Sequence, residues 1–179
     1  MAEGETMEIR IGEEITGSIL DVGGGGEGII GRMFGDRVTA IDNRQEELDE
    51  APDTCRKLLM DAASLDFPDG SFDSVTFFYS LMYMDSDTQG KAVREALRVL
   101  KAGGVMYIWD ADIVSAYPDP FIVELDIRLP RETVHTTYGI VKKEPQDAET
   151  VLRLLRDAGQ DPCLVSGENG QFFIRCVKA

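Results

Sequence analysis

No run of apolar residues in this 179-residue chain approaches the roughly 20 needed to cross a bilayer as a helix. Histidine occurs once, at His135, and cysteine three times, at Cys55, Cys163 and Cys176, without the spacing of metal ligands. No metal site is therefore expected, and Cys163 and Cys176 read as small buried hydrophobes near strands. Basic residues are scarce: 18 Lys and Arg stand against 33 Asp and Glu, for a formal charge of −15. Phosphate backbones demand Lys/Arg patches, and no basic stripe exists, so nucleic acid is excluded as a partner. A small neutral or cationic substrate is expected, although the acidity could equally serve solubility alone. The segment Met1–Thr6 is acidic and polar, unlike a signal or transit peptide, so no membrane partner and a cytoplasmic location are expected. Repeats and low-complexity segments are missing too. The length suits one domain over residues 1–179, with 1–17 as an N-terminal extension.

Glycine is abundant in one place. Five of the six residues from Gly23 to Gly28 are glycine, after the apolar run Ser18-Ile19-Leu20 and before Ile29–Phe34. A strand turning through glycines into a helix is a nucleotide cradle, since it lets a ligand approach the backbone and offers unpaired N–H groups. The spacing Gly23-x-Gly25-x-x-Gly28 alone is a weak dinucleotide signature. Asp21 sharpens it. A carboxylate at the mouth of the cradle repels pyrophosphate but suits S-adenosylmethionine, which carries an ammonium and a sulfonium. From Ile11 to Ile41 the only basic residues are Arg32 and Arg37.

From Ile19 to Asp110, apolar runs alternate with helical patterns, predicting βαβ units and a mostly parallel sheet. Strands are expected at Ser18–Val22, Arg37–Ile41, Lys57–Met60, Ser74–Tyr79 and Val105–Trp109. Helices are expected at Gly28–Phe34, at Arg44–Glu50, and from a cap at Asp87 or Thr88 to Leu100, stopped by Lys101-Ala102-Gly103-Gly104. The rhythm breaks over 111–145, where Phe121–Leu129 and Thr133–Val141 read as an inserted antiparallel hairpin. A helix at Asp147–Ala158 and a C-terminal antiparallel hairpin, Cys163–Ser166 and Phe172–Val177 around Gly167-Glu168-Asn169-Gly170, complete the chain.

With these elements placed, the chain resembles the small class I S-adenosylmethionine-dependent methyltransferases often labelled type 11. Ile19-Leu20-Asp21-Val22-Gly23-Gly24-Gly25 resembles the family's first motif, and Val38-Thr39-Ala40-Ile41-Asp42 its second. The segment Asp61 to Asp73 resembles the third, and Leu97 to Gly104 the approach to the fifth strand. The resemblance implies a Rossmann-like α/β sandwich, S-adenosylmethionine as cofactor with S-adenosylhomocysteine as product, and methyl transfer to a small molecule. It also implies roles. Asp21 and Val22 end the first strand, Asp21 holding the methionine ammonium, and Gly23, Gly24 and Gly25 let the backbone pass close to methionine and ribose. Asp42, with Asn43 beside it, accepts from the ribose hydroxyls, Asp61 and Ala62 read the adenine amino edge, and Phe77 and Phe78 border the methionine. Glu27 stands where the family commonly has a third glycine.

Methyl transfer to an activated sulfonium mainly needs alignment and exclusion of water, so a missing general base does not count against it. Candidates near the methyl are Tyr83, Asp110, Asp112, His135 and Tyr138. Each has a plainer role: Tyr83 packs under a lid, Asp110 caps a turn, and His135 sits on a strand surface. The 111–145 hairpin is a lid, a dimer contact across a two-fold axis, or an extension of the core. Two other readings stay open: a dinucleotide-binding oxidoreductase or epimerase with Asp42 on the ribose, and a cofactor-binding module without transfer activity.

Overall fold

The computed structural model describes residues 7–11 and 14–179; Met1–Thr6, on which the expectation about targeting signals rested, lie outside them. The chain runs β1 (Met7–Arg10), β2 (Ile19–Val22), α1 (Ile29–Phe34), β3 (Val38–Asp42), α2 (Gln45–Glu50), β4 (Arg56–Leu59), β5 (Phe72–Phe78) and α3 (Ser86–Val99). It continues with β6 (Leu100–Ala111), β7 (Phe121–Arg128), β8 (Thr133–Ile140), α4 (Ala148–Asp157), β9 (Cys163–Glu168) and β10 (Gln171–Val177). Seven strands form one sheet in the order β4-β3-β2-β5-β6-β10-β9. Its first five strands are parallel, and β10 and β9 close it antiparallel, as a doubly wound sheet with a C-terminal hairpin. Strand order reverses between β2 and β5, which opens a crevice at their carboxyl ends.

Side chains alternate across each strand, so one sheet feeds two cores. Leu20, Val22, Val75, Phe77 and Ile108 face α3 and α4, meeting Ala92, Val93, Ala96, Val151 and Leu155. Ile19, Val38, Phe78, Tyr107, Trp109 and Phe173 face the other way. There the predicted hairpin is present, but it does not extend the main sheet. Strands β7 and β8 form a separate three-stranded sheet with β1, which pairs parallel to β7. The reason is the period-two apolar face of Val123, Leu125 and Ile127, which is buried over Trp109 and Phe173, themselves stacked at 4.5 Å. The small sheet lies alongside α1 and covers one flank of the crevice.

Three local expectations need correction. The cap of α3 is Asp85, whose carboxylate accepts from the Thr88 N–H at 2.8 Å, rather than Asp87 or Thr88. Lys101–Gly104 does not terminate the helix, because the buried Leu100 is already extended and paired with Phe72. The glycines instead exchange hydrogen bonds with the chain end, Gly103 N–H to Lys178 O and Lys178 N–H to Gly104 O, both at 2.9 Å. Cys176 is buried, but Cys163 is exposed, since it lies on the edge strand β9, whose six residues are all exposed. The β9–β10 turn narrows to Asn169-Gly170, both at positive φ, as a two-residue hairpin favours. Among the described residues, no helix is long and apolar enough to cross a membrane.

The cap supplies a first prediction. Asp85→Ala leaves the Thr88 N–H without its partner and should lower Tm by roughly 2–4 °C, whereas Asp85→Asn should hold Tm near wild type. Differential scanning calorimetry of the two variants checks this.

Candidate active site

The crevice widens into a cavity of about 810 Å³ lined by the glycine loop, the tips of β3 and β4, the segment after β5, and β8. That volume lies toward the upper end of the roughly 300–1,000 Å³ usual for small-molecule sites. The glycine loop folds back on the end of β3: the Gly23 and Gly24 N–H groups both donate to Ile41 O, at 2.9 and 3.0 Å. Gly23 sits at φ +76°, and a Cβ there would stand 2.5 Å from the Ser80 Cβ. A Cβ on Gly24 would stand 2.5 Å from Asp21 Oδ2, between the loop and that carboxylate.

Asp21 is 2% exposed, yet it lines the cavity. Thr76 Oγ1 donates to its Oδ1 at 2.7 Å and is its one hydrogen-bond donor among the described residues. Oδ2 is left for whatever occupies the cavity. Burial pushes this carboxyl up to about 7, against the Thr76 bond and with help from the Asp42 charge. A carboxylate held so far out of water gains most from a cationic ligand.

Along the row of strand tips, Asp42 lines the cavity from the end of β3, accepting from the Gly25 N–H at 3.4 Å and the Arg44 N–H at 3.1 Å. Asn43 is beside it, and Asp61 and Ala62 follow β4. Asp61 accepts from the Ala63 N–H at 2.8 Å, which fixes the turn that presents both residues. Asp21, Gly23, Gly24, Gly25, Asp42, Asn43, Asp61, Ala62 and Phe78 thus come together as the sequence predicts.

Two do not. Val22 and Phe77 alternate to the opposite face of the sheet, where they pack in the core under α3 and α4. The polar residues expected near the methyl also sort themselves. Tyr83 and Tyr138 line the cavity. His135 does not: it is exposed on β8, its Nδ1 2.7 Å from Asp126 Oδ1 on β7. Asp110 is sealed behind the wall, fully buried, accepting from the Met82 N–H at 3.2 Å, the Ala111 N–H at 2.8 Å and Gln146 Nε2 at 3.0 Å. Burial pushes it up to about 7 in spite of these bonds. Neither residue reaches the cavity, and Asp112 does not line it.

Sequence reading missed Tyr79 and Glu47. Tyr79 leaves β5 at φ +50°, rare for a bulky residue, which turns its ring along the cavity wall and sets its hydroxyl on Gln171 Oε1 at 2.9 Å. Glu47 accepts the Gly26 N–H on its backbone oxygen at 2.8 Å and brings a further carboxylate to the wall. No sequence pattern marks either.

Residues 20–108 match a family model described as a methyltransferase domain. This stretch of the chain is a methyltransferase domain. It is 29% identical over 168 residues to the 27-O-demethylrifamycin SV methyltransferase of Amycolatopsis mediterranei (strain S699), covering 87% of this chain and 57% of that protein. It is 36% identical over 104 residues to the 2-methyl-6-phytyl-1,4-hydroquinone methyltransferase of Synechocystis sp. (strain ATCC 27184 / PCC 6803 / Kazusa), covering 52% and 31%. The chain therefore spans less than two thirds of the length of these curated relatives. A solved S-adenosylmethionine-dependent methyltransferase from Aquifex aeolicus shares the fold at a TM-score of 0.67 and 18% identity, over 93% of this chain and 84% of that one.

The cavity of this methyltransferase domain fits S-adenosylmethionine, the cofactor that the sequence resemblance implies. The Asp21 carboxylate, which lines the cavity and takes a single donor from Thr76, suits an ammonium. The unsubstituted face of Gly24 leaves the approach to it open, and Asp42 presents its carboxylate at a strand tip, as ribose hydroxyls require.

Proposed function

We propose that this protein transfers a methyl group from S-adenosylmethionine to a small-molecule acceptor, and that Asp21 is the residue on which cofactor recognition turns. When bound, the cofactor supplies a methyl group on a positively charged sulfur that leaves as a neutral thioether. Asp21 Oδ2 would hold the ammonium, Asp42 the ribose hydroxyls, and Asp61 with the Ala62 backbone the adenine amino edge. Phe78 would border the methionine portion.

The hairpin of β7 and β8 serves as the cover. Thr136 and Tyr138 on β8 donate to Glu27 in the glycine loop, and Arg32 at the end of α1 meets Glu132 in the β7–β8 turn at 3.2 Å. These bonds hold the small sheet to the loop that receives the cofactor, so it excludes water from one side of the cavity. Tyr83 acts as wall and hydrogen-bond donor rather than base, because partial burial of its side chain first, and then the Glu27 charge, push its hydroxyl up to about 12. The relatives methylate a rifamycin and a hydroquinone by their names, which supports a small organic acceptor. Three free thiols suit a reducing compartment such as the cytoplasm.

A thermal-shift titration with S-adenosylmethionine, S-adenosylhomocysteine and NAD at matched concentrations tests the reading. Ligand at about 100 times its Kd adds roughly 2.7 kcal/mol. The first two should raise Tm and NAD should not. Stabilisation by NAD alone would overturn the reading in favour of a redox enzyme.

A further inference from the structure

The cavity wall beyond β5 differs in kind from the cofactor end. The rings of Tyr83 and Tyr138 meet edge to face, centroids 6.2 Å apart and planes at 87°, and Tyr138 stacks on Tyr79 at 6.0 Å. Two perpendicular tyrosine rings make a corner. Glu27 lies against it, accepting from the Tyr138 hydroxyl at 3.2 Å and from Thr136. A carboxylate offers about four acceptor positions, so these two bonds leave Glu27 capacity for another donor. Tyr83 is 55% exposed, which leaves its ring open to a ligand.

Among the described residues no cation pairs with the Glu27 carboxylate: Arg32 donates its Nε to the Glu27 backbone oxygen at 2.6 Å, and its guanidinium ends on Glu132 at 3.2 Å. Among the described residues Arg44 is the one basic residue lining the cavity, and its guanidinium is on Glu47 at 3.1 Å. The tyrosine hydroxyls stay protonated at neutral pH, since burial and the Glu27 charge raise both well above the usual phenol. The rings therefore keep neutral, electron-rich faces, and Glu27 is the local charge. Aromatic faces at right angles beside a carboxylate are the chemistry that recognises an ammonium group. A neutral acceptor would use the rings alone. Asp21, on a different strand tip, already serves the cofactor's ammonium.

We propose that the methyl acceptor carries a cationic amino or quaternary ammonium group, which docks in the corner formed by Tyr83, Tyr138 and Glu27. The proposal rests on the methyltransferase reading of the same cavity and deepens it by naming the acceptor class. It assigns Glu27 and Tyr83 as specificity residues and leaves the methylated atom open.

The test uses the whole chain saturated with S-adenosylhomocysteine, titrated by NMR with choline and with its neutral isostere 3,3-dimethylbutan-1-ol. Choline should bind at least about tenfold more tightly than the alcohol. Glu27→Gln, which preserves shape and an acceptor for Tyr138, should weaken choline about tenfold. Tyr83→Leu should weaken it about 3- to 30-fold, and Tyr83→Phe less than about threefold, because the ring remains. S-adenosylhomocysteine should lose less affinity than choline in each of the three variants. Equal affinity for the two probes, or no binding of either, overturns the proposal. So does a variant that loses S-adenosylhomocysteine as much as choline, because the corner would then belong to the cofactor. Failure of S-adenosylhomocysteine to bind the wild type, seen before any probe is added, overturns the methyltransferase reading itself and the proposal with it.

Discussion

Asp21→Asn should abolish measurable cofactor binding while making the ligand-free protein more stable at pH 8. The variant keeps the shape of the side chain and an oxygen to accept the Thr76 hydroxyl, so the fold around β2 and β5 has no reason to change. It removes a charge that is 2% exposed. Deleting one partner of a desolvated charge pair costs about 2–5 kcal/mol, or roughly 30- to several-thousand-fold in affinity. Isothermal titration with S-adenosylhomocysteine should therefore fall from a clean isotherm to none. Retained binding within about threefold would remove Asp21 from cofactor recognition.

The pH dependence follows from the same group. The native carboxyl titrates near 7 and the unfolded one near 3.8, so between those values the folded state holds a proton that the unfolded state has lost. Stability must then fall as pH rises through that window, by up to about 4 kcal/mol from this residue. Asn does not titrate, so the variant should lose this part of the slope. Cofactor affinity runs the other way. An ammonium needs the ionised carboxylate, so below pH 7 affinity should drop by up to about tenfold per pH unit and level off above it. In Asp21→Asn, raising the pH should restore no binding. A wild-type affinity that is flat between pH 5.5 and 7 would sink the assignment.

Much of this site was legible because parallel α/β folds put ligand groups at strand ends, and strand ends are marked by apolar runs that stop at a carboxylate. Asp21, Asp42 and Asp61 are readable in that way. Val22 and Phe77 were not, because a motif names a stretch of chain while the alternation of a strand decides which neighbour faces the ligand. The hairpin could be read as a hairpin from its β-rich halves around Pro130. Its partnership with β1 could not, since that depends on a long-range pairing of Met7–Arg10 with Leu125–Arg128. Nor could the positive φ at Tyr79, which sequence places in a strand and packing turns out of it. Glu27 was visible only as an oddity among glycines, and its bonds to Thr136 and Tyr138 span more than a hundred residues.

Asp110 separates a structural carboxylate from a catalytic one. Asp110→Ala should destabilise the protein by about 3–5 kcal/mol, read by urea unfolding. The carboxylate collects two backbone N–H groups, from Met82 and Ala111, and the amide of Gln146, all buried. Each donor left without a partner costs about 1–3 kcal/mol, and a native fold has only about 5–15 to lose. The damage should spread, because Gln146 Oε1 accepts from Gln89 of α3 at 2.6 Å and from Lys142 at 3.3 Å, while Lys142 also holds Met84 O at 2.7 Å. These bonds clamp the turn Leu81–Tyr83 from both sides, which is how a sealed residue sets the position of Tyr83 in the cavity. Asp110→Asn keeps one acceptor oxygen but points an NH₂ group at donors, so its loss should be intermediate. A base acting on the acceptor would give the opposite pattern: Asn would leave stability near wild type and lower kcat alone. Because Asp110 is fully buried and does not line the cavity, the unfolding midpoint should move in both variants, and S-adenosylhomocysteine should still bind the folded fraction within about threefold of wild type.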